Sequence, residues 1–224
     1  MNSALADRPR LRTWIKFCGC RTVADVEAAV EAGADAVGMI FAQSPRRITV
    51  EAARDIARHL PEDVEPVGVF VDPSPDDINI VRMIFPHMAI QLSGNETSDF
   101  VARYGDRAIK AIHVDPKIDP GDLSDACRLY WQALILFDTQ LRGLPGGTAK
   151  TFPWENVVDI ARRRPVVIAG GLTPENVADC IRIVQPFGVD VRSGVETGDR
   201  KDLEKMRAFI RAAREADAAL PTSS

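Results

Sequence analysis

Apolar positions along the chain fall into two alternating rhythms. Short unbroken runs recur at residues 14–18 (WIKFC), 35–41 (DAVGMIF), 65–71 (EPVGVFV), 88–92 (MAIQL), 108–114 (AIKAIHV), 133–138 (ALILFD), 165–170 (PVVIAG) and 188–194 (GVDVRSG). Runs this short read as strands, and their lack of alternation implies that both faces are buried. Between them the spacing lengthens to a helical period. In residues 22–33, Val23, Val26, Ala29 and Val30 form one stripe, with Thr22 placed to cap the start and Gly33 to end it. Residues 49–60 turn Ile56 and Leu60 inward. Residues 74–85 begin with Ser74 as cap and Pro75 in the first turn. Further helical segments are expected at 95–105, 119–129, 153–164, 173–184 (Thr173 as cap, Pro174 first) and 200–216.

Strand and helix thus alternate eight times. Parallel strands need crossover connections, and eight βα units in roughly 200 residues make a compact single-domain (β/α)₈ barrel, the TIM-barrel architecture. The expected division is a flexible extension at 1–13, the barrel at 14–214 and a flexible tail at 215–224. An open doubly wound sheet is the alternative. It would carry G-x-G-x-x-G after its first strand, and the chain has CGCRTV there.

Composition narrows the function classes. Of 224 residues, 46% are hydrophobic and 27% charged, with a net charge of −4, so no basic footprint for nucleic acid is present. No apolar run approaches the ~20 residues of a membrane span, and residues 1–12 lack the apolar segment of a secretory signal. Four cysteines (Cys18, Cys20, Cys127, Cys180) form no CxxC pair, and His59, His87 and His113 stand apart. These features imply a cytoplasmic protein with free thiols and no metal site. No long apolar stripe is left for a partner, so a monomer is expected.

In a barrel of this kind the chemistry gathers at the C-terminal ends of the strands. Cys18 ends the first strand and Asp138 the sixth, after five apolar residues. A carboxylate there is either a loop cap or a functional group, and Cys18 is either core filler or a reactive thiol. AGGLTPENV (169–177) and SGVETG (193–198) follow strands seven and eight, where glycines and a helix start suit a phosphate, or make two ordinary turns. SPRRI (44–48) offers a guanidinium for a carboxylate, or a solvated basic pair. GLPGGTAKT (143–151) fails the nucleotide-loop pattern and reads as a loop over the mouth carrying Lys150.

Taken in order, KFCG, GADAVGMIF, SPRRI, VGVFV, IQLSG, LFDT, GGTAKTFPW, AGGLTPENV and DVRSGVE resemble the phosphoribosylanthranilate isomerase family of tryptophan biosynthesis, from about residue 14 to 212. The resemblance implies a (β/α)₈ barrel without cofactor or metal. It implies an Amadori rearrangement of one small phosphoribosyl substrate. Cys18 matches the family's general base and Asp138 its general acid. Arg46 matches the arginine that holds the anthranilate carboxylate, and Gly171, Ser193 and Gly194 match the phosphate cup. Lys16, on the same strand face as Cys18, is the candidate cation for lowering the thiol's pKa. Two departures stand out. Ser93 replaces a histidine after strand four, and Arg192 replaces a small residue after strand eight. Arg192 either pairs with Asp190 or turns inward to the phosphate. A sibling isomerase with shifted substrate, or a silent phosphosugar-binding barrel, are the competing functions.

Overall fold

The computed structural model describes residues 12–115, 117–139 and 151–220. Eight parallel strands close on themselves in chain order. They are β1 (Trp14–Cys18), β2 (Ala36–Ile40), β3 (Glu65–Phe70), β4 (Ala89–Leu92), β5 (Ala108–Val114), β6 (Leu134–Thr139), β7 (Val166–Ile168) and β8 (Gly188–Val191). The helices between and after them are α1 (Val23–Ala32), α2 (Val50–Ala57), α3 (Pro75–Arg82), α4 (Ser98–Ala102), α5 (Pro120–Leu129), α6 (Val158–Ala161), α7 (Val177–Val184) and α8 (Leu203–Ala219). A hairpin of β9 (Glu196–Thr197) and β10 (Arg200–Lys201) separates β8 from α8.

The strand runs lack alternation because each strand has two dry faces. Outward residues such as Phe17, Ile90, Phe137 and Val189 pack against the helices in one large cluster. Inward residues, including Trp14, Val67, Ala89, Ile109, Leu134 and Val167, fill the barrel axis as a second cluster. Register fixes what meets inside. β1 pairs with β8 so that Lys16 lies opposite Asp190, and β5 pairs with β6 so that His113 lies opposite Asp138.

Local capping follows the sequence in part. Thr22 and Ser74 each close a capping box, and Gly33 ends α1 with φ 96°, a conformation glycine adopts without strain. α7, however, starts at Val177. Thr173 instead caps a turn, where its N–H donates to Asn176 Oδ1 at 2.8 Å and its carbonyl accepts from Asn176 and Val177. Residues 154–157 form a 3₁₀ turn ahead of a short α6. The last helix runs past the boundary drawn at residue 214. Ala216 is buried, and Asp217 accepts both the N–H (2.9 Å) and hydroxyl (2.5 Å) of Thr13, tying the helix to the barrel's first strand. The extension at 1–11, the end of the tail at 221–224 and Lys150 lie outside the described residues.

Candidate active site

Inward-facing polar residues gather towards one end of the barrel. Lys16, fully buried, donates to Asp190 Oδ2 at 2.8 Å and to Gln91 Oε1 at 2.9 Å. Gln91 Nε2 in turn donates to Ser93 Oγ at 3.2 Å. The chain of contacts continues through the Ser93 carbonyl, 2.9 Å from His113 Nε2, to His113 Nδ1, 3.8 Å from Asp138 Oδ2. Polar groups from β8, β1, β4, β5 and β6 therefore line one floor. A hydroxyl or amide there is held by neighbours on other strands, as buried polar groups must be.

Cys18 stands at the rim on the strand face shared with Lys16. Its register partner is Gly38. A β-carbon on Gly38 would sit 2.9 Å from both Cys18 Sγ and Lys16 Cε, so glycine leaves the room in which both side chains lie. Burial is the strongest influence on the thiol and pushes its pKa up. Lys16, Arg192 and Lys201 pull it down, and Asp190 pushes it up. The expected pull of Lys16 on the thiol is present, yet the net shift is upward. Desolvation outweighs Lys16, and Asp190 offsets much of its charge. Cys20, by contrast, is pushed up to about 12 by burial and points its sulfur at the Phe17 carbonyl, as an inert core thiol does.

Asp138 keeps 40% of its side-chain surface open to the mouth, yet the surrounding protein still raises its pKa by desolvation. His113, Arg192 and Lys16 oppose that rise and Asp190 adds to it. A carboxyl whose pKa is raised in this way keeps its proton to higher pH than a free one and is better placed to donate it.

Arg46 is held by Glu196 on β9. Its Nε donates to Oε1 at 3.1 Å and Nη2 to Oε2 at 2.6 Å. Lys201 Nζ also donates to Glu196, at 3.1 Å. Burial works against the Glu196 charge, but the two cations hold its pKa below the usual carboxylate range. Glu196 occupies the Nε side of the guanidinium, which leaves the Nη1/Nη2 end as a second fork. The Arg46 and Arg192 stems both lie over Gly19, the residue after Cys18. Arg192 makes no ion pair among the described residues, and Asp190 has turned to Lys16 instead. The Arg192–Asp190 pair considered from sequence does not form.

Gly171 has φ 71°, and a β-carbon on Gly194 would lie 2.0 Å from the Leu172 carbonyl oxygen. The loops after β7 and β8 therefore touch through backbone, which brings Gly171, Ser193 and Gly194 together. Among the described residues no His, Cys, Asp or Glu cluster could hold a metal, and no helix is long and apolar enough to cross a membrane.

A model of the N-(5'-phosphoribosyl)anthranilate (PRA) isomerase family matches residues 15–212. The chain belongs to this family. It is 42% identical over 208 residues to N-(5'-phosphoribosyl)anthranilate isomerase of Pseudomonas fluorescens, covering 92% of the chain and 97% of that protein. It is also similar to the solved phosphoribosyl anthranilate isomerase of Thermotoga maritima, with a TM-score of 0.82, 38% identity and coverage of 91% and 99%. A further solved phosphoribosyl anthranilate isomerase, in complex with reduced 1-(o-carboxyphenylamino)-1-deoxyribulose 5-phosphate, matches with a TM-score of 0.79, 36% identity and the same coverage.

Three members of the site were not singled out from sequence: Glu196, Lys201 and Gln91. Glu196 lies 150 residues from Arg46 and Gln91 lies 75 from Lys16, so barrel closure is needed to bring these pairs together, while Lys201 reaches Glu196 across the β9–β10 hairpin. His113 was set aside as isolated, although its register with Asp138 follows once β5 and β6 pair.

Proposed function

We propose that this chain catalyses the Amadori rearrangement of N-(5-phosphoribosyl)anthranilate to 1-(2-carboxyphenylamino)-1-deoxyribulose 5-phosphate, with Cys18 as general base and Asp138 as general acid. The observation that carries the roles is their placement. They lie at the C-terminal ends of β1 and β6, three strands apart around one mouth, with Arg46 beside the residue that follows the thiol. The loops after β7 and β8 supply Gly171, Ser193 and Gly194 for the phosphate, in the position where such barrels bind one. The free fork of Arg46 takes the anthranilate carboxylate, and Glu196 holds that fork in place.

Asp138 and Cys18 each carry one of the proton transfers of the reaction. Asp138 protonates the ribose ring oxygen as the C1–O bond breaks, while the anthranilate nitrogen forms the C1=N bond. Cys18 as thiolate takes the C2 proton and leaves an enolamine, which becomes the ketone as C1 gains a proton and the C2 hydroxyl loses one. Burial favours the neutral thiol, so the iminium charge formed on the substrate adds to Lys16 in stabilising the thiolate, and it also makes the C2 proton more acidic. We place the activity in a monomeric, cytoplasmic single-domain enzyme, supported by four free cysteines and by exposed apolar side chains scattered over several elements. Light scattering on the purified protein tests the monomer.

Disappearance of freshly made phosphoribosylanthranilate, followed by fluorescence, tests the activity. Cys18→Ala and Asp138→Asn should each lower kcat by about 10²–10⁴-fold with a much smaller change in KM. Near-parental kcat in either variant rejects that residue's role.

A further inference from the structure

The hydrogen-bond pattern around β5 bears on how the acid regains its proton. His113 and Asp138 are direct register partners on adjacent parallel strands. His113 Nε2 lies 2.9 Å from the carbonyl oxygen of Ser93. A carbonyl oxygen only accepts, so Nε2 carries a hydrogen in every protonation state that keeps this contact. The other nitrogen is thereby fixed as the variable site, and it is the one that faces Asp138, with Nδ1 3.8 Å from Oδ2. The ring is 39% exposed, so solvent reaches it. The contact at Ser93 thus locks the imidazole with one face towards the acid and its edge in water.

We infer that His113 is a positioning and proton-supplying residue for Asp138. The inference rests on the proposed acid role of Asp138. In the step it serves, the carboxylic acid has given its proton to the ring oxygen and is left as carboxylate. Across the 3.8 Å gap the transfer runs through one water: the imidazolium Nδ1–H bond breaks as its proton passes to the water, the water gives a proton to form a new O–H bond on Oδ2, and the electron pair stays on nitrogen. Neutral His113 keeps Nε2–H on the Ser93 carbonyl and takes its next proton from water at Nδ1. The proton collected from C2 by Cys18 leaves to solvent, so each turnover takes up one proton and releases one. No oxidant or co-reactant is needed.

The charged groups around this pair are known. Asp138 feels Asp190 and Arg192 from the end of β8 and Lys16 from β1. None of them has His113's combination of a fixed tautomer and an open path to water. Gln91 ends its chain of contacts on Ser93 and lacks a titrating proton.

His113→Gln keeps a polar side chain of similar reach but carries no transferable proton. His113→Ala leaves a gap that free imidazole can enter. Both should fold, since the ring is half exposed. The expected result is a kcat about tenfold or more below the parent for each, KM changed less than threefold, and an alkaline limb of the kcat–pH profile moved to higher pH, because His113 no longer holds the Asp138 pKa down. Added imidazole should restore part of the His113→Ala rate and none of the His113→Gln rate. Asp138→Asn is assayed alongside. If it is inactive and the His113 variants keep parental kcat and pH profile, the relay is rejected and the acid stands. A lowered kcat with an unmoved profile and no rescue makes His113 merely structural and also rejects the relay. If Asp138→Asn is fully active, the acid role fails and the relay falls with it.

Discussion

Two buried lysine–carboxylate pairs sit on opposite faces of the same barrel wall, and they are built differently. Lys110 lies outside, between β5 and the loop after β4. It donates to Glu96 (2.7 Å), the Gly94 carbonyl (2.7 Å) and the Leu92 carbonyl (3.3 Å), so its three hydrogens all have acceptors. Glu96 also accepts from the backbone N–H of Asp72 and Gly94. Lys16 lies inside and bonds to Asp190, Gln91 and the Cys18 sulfur, while Asp190 Oδ1 is buried with no partner among the described residues, so the inner network is incomplete at the carboxylate. A complete network fixes a loop. An incomplete one keeps field and bonding capacity available, and both Cys18 and Asp138 feel the Lys16–Asp190 charges. Saturation thus marks the outer pair as scaffold, and its lack marks the inner pair as part of the reaction chamber.

Removing one lysine at a time is the sharpest way to break this contrast. Lys110→Met strands Glu96 and should cost about 3–5 kcal/mol of stability by urea unfolding, with kcat per folded molecule near the parent. Lys16→Met strands Asp190 and should cost a similar amount. It should also lower kcat at least tenfold and move the limb that reports the base to higher pH, because the cation that opposes the Cys18 shift is gone. Equal kcat and equal pH profiles in the two variants would erase the distinction.

That contrast was only half visible in the chain. All eight strands follow from apolar runs, because double burial writes itself into consecutive residues. Thr22, Gly33 and Ser74 follow from capping chemistry, which is local. Cys18, Asp138 and Arg46 stood out by type and by resemblance. The partners did not. Lys16 meets Asp190 only when β1 closes against β8, and Glu196 meets Arg46 through a two-stranded hairpin too short to leave a pattern. Where a helix starts is also set by competition. Asn176 takes the Thr173 N–H, and the regular helix begins a turn late. The charge balance at Cys18 was left open by the sequence for the same reason, since neither its depth nor the Asp190 counter-charge is written near residue 18.

Arg192 extends the comparison to the rim. It is a cation without a carboxylate partner among the described residues, above an inner pair that is itself incomplete. Arg192→Ser should weaken inhibition by inorganic phosphate about fivefold at low salt, equivalent to about 1 kcal/mol for an exposed charge. The difference should shrink as salt rises. Because Arg192 lowers the Cys18 pKa, the base limb should also move slightly upward in pH. Identical phosphate inhibition in parent and variant at low salt would place the guanidinium outside the anion site.

The smallest effect concerns the stability that the chamber gives up to hold its acid. Asp138 has a folded pKa above its unfolded value of about 3.9. Such a carboxyl favours the fold fully at pH below the unfolded value, where both states are protonated, and that contribution is lost as pH rises through the folded value. At mildly alkaline pH the folded protein therefore carries a desolvated charge at a cost. Asp138→Asn removes the charge and keeps the shape. It should be the more stable protein there, with a Tm higher by about 1–2 °C once the effect is discounted for solvent in the mouth. As pH falls towards the ordinary carboxylate range the gap should close, because the parent side chain is then neutral as well. Glu96, held below the usual range by Lys110, supplies the opposite sign. Its charge stabilises above the unfolded carboxylate value, and that stability is lost as pH falls through its lowered folded value. Glu96→Gln should therefore lower Tm most at neutral and alkaline pH. A pair of thermal scans across pH separates the two. If Asp138→Asn lowers Tm at alkaline pH, as Glu96→Gln does, the carboxyl at the mouth is scaffold and its strained charge is not there.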